Sequence, residues 1–149
     1  MKILIIGENN FNSLERIYQK NFKFLKCKKV NIVDFFKPNN KILKKLINFQ
    51  EKYFYFFFCI IQNYFLKKKL VNDTLIYDLV LVFNGYHLDE KTLKYLKNKT
   101  KYSLVNIQTD NILLKKNIIR KNLSYFNYIY IWSQVLQKKI IKKYKIKKS

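Results

Sequence analysis

The chain has 149 residues, 49% of them apolar and 27% charged, which is the composition of a single globular domain and excludes an intrinsically disordered chain. It carries 31 Lys and Arg against 9 Asp and Glu, a formal charge of +22, but 29 of the basic residues are Lys and Ala is absent. We interpret much of this charge as drift toward A/T-rich codons. Because an Arg-poor chain lacks the forked donors of specific base readers, no specific nucleic-acid partner is expected.

The first predicted elements form a strand–helix–strand unit. Residues 2–7 are a short β-branched run that ends at a glycine, which is typical of a buried parallel strand. Apolar residues recur at helical spacing over 14–25, and Asn12 or Ser13 is the expected N-cap of this helix. A second strand is predicted over 30–36, where a turn with the only proline stops it.

The segment 41–70 contains neither Gly nor Pro and is predicted to form one long or broken helix. It carries an apolar stripe at helical spacing, formed by Ile42, Leu46, Phe49 and Tyr53. The apolar run 53–61 alone would suit a strand equally well, and it is too short to span a bilayer. We expect its aromatic residues to pack in the core or at a domain interface. The alternative is a membrane-interfacial face, because three lysines follow at 67–69.

Three more strands are predicted in the second half of the chain, over 78–83, 103–107 and 128–132. Further helices are expected at 88–98, with Asp89 as the cap, and at 133–141, with Ser133 as the cap. Residues 111–123 are expected to form a helix or an extended loop.

Strands that alternate with helices predict an α/β fold, here a Rossmann-like doubly wound parallel sheet of about five strands. The predicted domain covers residues 1–141, and residues 142–149 form a basic tail.

In such a sheet, ligands bind beyond the carboxyl ends of the strands. The loops at these ends contain both glycines, the only histidine and the only tryptophan. We therefore predict that a common cleft is bordered by Gly7, Gly85, His87, Asp110 and Ser133. The alternatives are structural: Gly85 is a turn residue, His87 begins the helix at 88–98, and Asp110 is a cap. Glu15 and Arg16 are expected on the helix surface or in an ion pair, outside the active site.

Several familiar enzyme templates are absent. Gly7 does not begin a GxGxxG spacing, and the chain has neither a P-loop nor a GxSxG elbow. Two cysteines, Cys27 and Cys59, with a single histidine, exclude a disulfide scaffold and a Cys-rich zinc site, and Cys59 is expected to be buried. No metal and no cofactor are predicted. The first apolar stretch is too short for a signal peptide, so the expected compartment is the cytoplasm.

Six short motifs follow one another along the chain: MKILIIGE, SLER, VDFF, DLVLVFNGYHLDEKTLKYLK, SLVNIQTD and YIYIWS. Their order resembles the N-terminal half of CgeB-type glycosyltransferases, a family similar in fold to the two-domain GT-B glycosyltransferases. The likeness covers residues 1–141 and depends on the collinear order of weak motifs. Asn84 stands where a Lys is common in that family, and residues 26–29 replace a tight Gly-His turn.

The resemblance implies an acceptor-side domain that forms one wall of an interdomain cleft, where a sugar is transferred from a nucleotide-sugar. His87 and Asp110 would be the catalytic residues, in polar contact with the acceptor hydroxyl or as its general base. Substrate binding would involve Gly7, Glu8, Asn84, Gly85 and Ser133.

The resemblance also implies a missing partner. The acidic residues and the glycine-rich phosphate loop of a donor-binding half are not found, so we expect a truncated or split enzyme that is inactive alone and pairs with a separate C-terminal GT-B half. The sugar acceptor is not indicated. The alternative function is a non-catalytic basic α/β module, peripheral to an anionic membrane, which binds through Lys-rich faces and the aromatic residues of 53–66.

Overall fold

A computed structural model describes residues 1–35, 40–109 and 122–144. Five strands form one sheet, and they are β1 (Lys2–Gly7), β2 (Lys29–Asp34), β3 (Tyr77–Phe83), β4 (Thr100–Gln108) and β5 (Tyr128–Ile131). The strand order is β2-β1-β3-β4-β5, and every neighbouring pair is parallel. The predicted Rossmann-like, doubly wound α/β fold is therefore confirmed.

The described helices are α1 (Leu14–Phe24), α2 (Lys41–Tyr53), α3 (Tyr55–Val71), α4 (Glu90–Asn98) and α5 (Gln134–Tyr144). The predicted helix over 41–70 is thus a broken one. Its break is at Phe54, whose φ of −128° and ψ of 52° are not helical. The alternative of a strand over 53–61 is wrong, because Tyr53 ends α2 and residues 55–61 form the first turns of α3. The predicted elements at 111–121 and the end of the basic tail lie outside the described residues.

Side-chain caps fix the starts of three helices at predicted residues. Ser13, and not Asn12, caps α1 by accepting a hydrogen bond from the Arg16 amide, and the Asp89 carboxylate accepts one from the Thr92 amide at 2.6 Å. Ser133 accepts a bond from the Leu136 amide at 3.3 Å, at the start of α5. Each cap satisfies an amide that the first turn of a helix leaves without a backbone partner.

Helices cover both faces of the sheet, because strand side chains alternate between the faces. One face packs against α3 and α4 and buries Leu4, Ile6, Val80, Val82 and Leu104. The other face packs Phe22 of α1 and buries Ile3, Ile5, Leu81, Phe83 and Val105. Cys59 is buried in α3, as expected.

Within the sheet, β2 and β3 lie on opposite sides of β1, so the direction in which strands are added reverses after β2. The loops that leave β1 and β3 diverge, and a crevice opens at this switch point.

The amino edge of the sheet holds a buried hydrogen-bonded tyrosine. The Tyr77 hydroxyl donates to the Asp73 carboxylate and accepts a hydrogen bond of 2.6 Å from the side-chain Nδ2 of Asn31. Burial first, and then the hydrogen bond to Asp73, raise the pKa of Tyr77 well above its ordinary value. This network ties β2 and the loop before β3 to the start of β3.

Candidate functional site

A cleft of about 290 Å³ opens at the carboxyl edge of the sheet, between the exits of β1 and β3. Its described lining consists of Glu8, Ser13, Leu14, Glu15, Phe83, Asn84 and Thr109. This is the switch point of the 2-1-3-4-5 strand order, where ligands bind in doubly wound sheets. The volume lies just below the range for ligand pockets, about 300–1,000 Å³, and therefore suits a small ligand or one unit of a larger ligand.

The space for one lining carboxylate is created by Gly7. A Cβ added to Gly7 would lie 2.7 Å from Cγ and 2.9 Å from Cδ of Glu15, and closer still to Oε1. Glu15 reaches over the end of β1, is 5% exposed, and accepts a 2.7 Å hydrogen bond from the Glu8 amide. The expectation that Glu15 lies on the helix surface or in an ion pair is therefore wrong. Its neighbour Arg16 donates instead to Gln19, at 3.2 Å.

The Glu15 carboxylate binds a backbone N–H group that a Rossmann-type phosphate site leaves free for the anion. In Rossmann-type phosphate sites, the amide after the first strand and the start of the first helix bind the anion. Here Glu15 accepts from the Glu8 amide, and Ser13 caps the helix. Two of the described lining residues are glutamates and none is basic. Like-charge repulsion therefore disfavours a phosphate in this cleft, and the acceptor oxygens favour a neutral ligand that donates hydrogen bonds.

Asn84 joins the exits of β3 and β4. Its backbone is left-handed, with φ 48° and ψ 37°, a conformation that Asn adopts more readily than most residues. Its Nδ2 donates to the Thr109 hydroxyl at 2.6 Å, and its Oδ1 accepts from the Thr109 amide at 2.9 Å. A lysine has no acceptor and would lose the second bond. The left-handed backbone and the two bonds to Thr109 explain why Asn suits this position.

Gly85 and His87, which follow Asn84 in the same loop, are packed rather than open to the cleft. A Cβ on Gly85 would lie 2.5 Å from Cγ1 of Val82, so close packing excludes a side chain there. His87 is 6% exposed, and its ring meets Phe35 edge-on with ring centroids 4.2 Å apart. It also contacts Phe58 of α3, at 5.8 Å between centroids. His87 is therefore beneath α3, outside the described lining of the cleft.

The structure thus brings some of the predicted residues together and separates others. Glu8 and Asn84 line the cleft, and Gly7 underlies it. Ser133 caps α5 after β5 and is not part of the described lining. Asp110 lies outside the described residues. The catalytic roles of His87 and Asp110 stay predictions.

Three polar residues of the described lining were not assigned to the site from the sequence, namely Ser13, Glu15 and Thr109. Thr109 sits at a predicted strand end, and that position was its signal. The signal for Glu15 was the glycine that ends β1, followed by a carboxylate in the first turn of α1. A glycine at that point leaves room for the side chain that the helix sends back across the strand.

Among residues 1–35, 40–109 and 122–144, no group of three or more His, Cys, Asp and Glu side chains is placed to hold a metal ion. None of the helices described above has the length and apolar character needed to cross a bilayer.

Comparison of the chain with protein-family models, with curated proteins and with solved structures finds no match.

Proposed function

We propose that this domain is the acceptor-side half of a CgeB-like glycosyltransferase, in which a sugar passes from a nucleotide-sugar to an acceptor hydroxyl. The observation that carries the proposal is the composition of the switch-point cleft: carboxylates, an amide and hydroxyls beside the apolar Leu14 and Phe83, with no basic side chain among its described residues. Sugar hydroxyls donate and accept hydrogen bonds, so they match this lining. The collinear motifs that resemble the family support the same function.

The position of Glu8 in the cleft supports a role for its carboxylate in the transfer reaction. The acceptor oxygen must lose its proton as it bonds to the anomeric carbon of the sugar, while the nucleoside diphosphate leaves with the bonding electrons. Glu8 is exposed and lines the cleft, and its Oε2 accepts a bond from Asn10 at 3.0 Å. We assign the base role to Glu8, with His87 and Asp110 as the alternatives. Glu15 is buried against the Glu8 amide and positions that residue.

The donor would be held elsewhere. A nucleotide-sugar carries a diphosphate, and Glu8 and Glu15 would repel it from this cleft. The proposed partner is therefore a C-terminal GT-B half that binds the donor and closes over the acceptor. On this proposal the chain by itself binds neutral saccharides weakly and does not turn over a nucleotide-sugar.

The test is a titration of the ¹⁵N-labelled chain with neutral mono- and oligosaccharides, and a calorimetric titration with UDP-glucose and GDP-mannose. We expect saccharide shifts at the amides of Glu8, Asn84 and Thr109, which weaken in Glu8→Gln and persist in Glu90→Gln, a matched change on the exposed surface of α4. Nucleotide-sugar binding in the micromolar range, or saccharide shifts confined to surfaces away from the cleft, would overturn the proposal.

The second candidate function is a non-catalytic basic module at an anionic membrane surface. It is favoured by the aromatic residues at the start of α3, where Phe56 is 67% and Phe57 is 57% exposed. Binding to anionic vesicles by a chain that shows no saccharide shifts would select this function over the first.

A further inference from the structure

The helix α2 is an amphipathic helix whose apolar side is largely uncovered. Of its side chains that the structure describes, none is buried. Four apolar residues lie along one stripe at helical spacing, with exposures of 75%, 52%, 52% and 59% for Ile42, Leu46, Phe49 and Tyr53. Ile47 and Gln50, which lie to one side of the stripe, are the half-buried members of the helix. The stripe itself faces outward.

The exposed surface continues across the break into α3. The ring of Phe49 contacts Tyr53 at 4.8 Å and Phe54 at 5.9 Å between centroids. Phe56 and Phe57 follow, both more than half exposed. A helix of 13 residues has little stability of its own in water and normally depends on burial of its apolar side. The stripe and the aromatic residues after it form the uncovered ridge, a surface that requires a partner.

The placement of lysines beside the uncovered ridge indicates the chemistry of that partner. Residues 41–57 contain four Lys and one Glu. Lys41, Lys45 and Lys52 are exposed on the side of α2 next to the stripe, and the Lys52 ammonium lies 5.1 Å from the centre of the Tyr53 ring. Protein interfaces are enriched in aromatic residues but depleted in Lys. Helices that lie in the plane of an anionic membrane combine the two, with lysines at the headgroups and aromatic residues below them.

We propose that α2 is an in-plane anchor that holds this domain on an anionic lipid bilayer. The stripe from Ile42 to Tyr53 enters the boundary between headgroups and acyl chains, and the flanking lysines contact the anionic headgroups. The membrane association is peripheral and does not depend on whether the domain takes part in sugar transfer.

Sedimentation of the full chain with vesicles tests the anchor. The vesicles are phosphatidylcholine alone, or phosphatidylcholine with about a third of phosphatidylglycerol, at low and high salt. We expect binding to the anionic vesicles only, weakened by salt. Phe49→Glu should reduce the affinity by about tenfold or more, because it places a carboxylate at the apolar boundary. Phe24→Glu is the matched control: Phe24 is 86% exposed at the end of α1, and this change should leave binding near that of the parent chain.

Depth is measured with a single fluorophore, since Trp132 is the only tryptophan. Phe49→Trp in a Trp132→Phe background should show a blue shift on vesicles and quenching by brominated acyl chains. This readout also decides the question if Phe49→Glu fails to fold. Equal binding by Phe49→Glu and the parent chain, or an unquenched tryptophan at position 49, would refute the anchor. So would a self-association that Phe49→Glu abolishes, in a chain that does not bind vesicles, because the ridge would then be an interface between copies.

Discussion

Replacement of Gly7 by Ala tests the contact that shapes the cleft. The new methyl group would occupy the space of the Glu15 carboxylate, whose Cγ and Cδ lie 2.7 and 2.9 Å from the Cβ position. Glu15 would have to move, and the Glu8 amide would lose its 2.7 Å hydrogen bond. This bond is partly buried and its acceptor is a carboxylate. A hydrogen bond to a charged group contributes about 1.5–3 kcal/mol, so we expect Gly7→Ala to lower the free energy of unfolding by about 2 kcal/mol.

The size of this loss should depend on Glu15. In a Glu15→Ala background the carboxylate is already absent, so the methyl group enters vacant space and the Glu8 amide has no bond left to lose. The further cost of Gly7→Ala should then be close to zero, which gives a coupling energy of about 1–2 kcal/mol between the two positions, within the range for residues in contact.

Urea unfolding of the four proteins of this cycle, followed by far-ultraviolet circular dichroism, measures the coupling. Gly85→Ala provides the control, because its methyl group would meet Val82 at 2.5 Å and has no relation to Glu15. The cost of Gly85→Ala should be the same in the parent chain and in the Glu15→Ala background. If the effects of Gly7→Ala and Glu15→Ala add to within about 0.5 kcal/mol, the carboxylate does not occupy the space over Gly7 and the described cleft is incorrect.

Two further perturbations have outcomes that follow from the described contacts. Asn84→Gly keeps the left-handed backbone but loses both bonds to Thr109, and we expect a loss of about 1–2 kcal/mol; Asn84→Ala should cost about 1 kcal/mol more, and equal losses in urea unfolding would contradict the left-handed conformation. The raised pKa of Tyr77 means that the folded state keeps the phenol neutral to a higher pH than the unfolded chain does. The stability that this shift contributes to the fold is fully present below pH 10.0 and is lost as the pH rises above it, because the unfolded chain releases its proton first. Tyr77→Phe should remove up to about 1.4 kcal/mol per pH unit from the alkaline loss of stability, and urea unfolding at increasing pH measures this slope.

The elements of this fold could be predicted from the sequence because their signals are local. β1 and β3 are continuous apolar runs, as strands buried on both faces must be, and the alternation of strands and helices leaves a parallel sheet as the simple arrangement. Ser13 and Asp89 cap helices because a hydroxyl or carboxylate at that position reaches the amide three residues on, a contact that needs no tertiary structure.

The site depended on tertiary structure. Glu15 belongs to the cleft only because α1 returns across the end of β1, above a residue without a side chain. The same strand-end pattern predicted His87 beside Glu8 and Asn84, but the turn after β3 carries the imidazole to Phe35 and Phe58, under α3. Periodicity indicated the stripe of α2 without indicating its environment. In the connection between β2 and β3, α3 is the helix that packs on the sheet. The helix α2 therefore lies outside the core, and its apolar side faces outward.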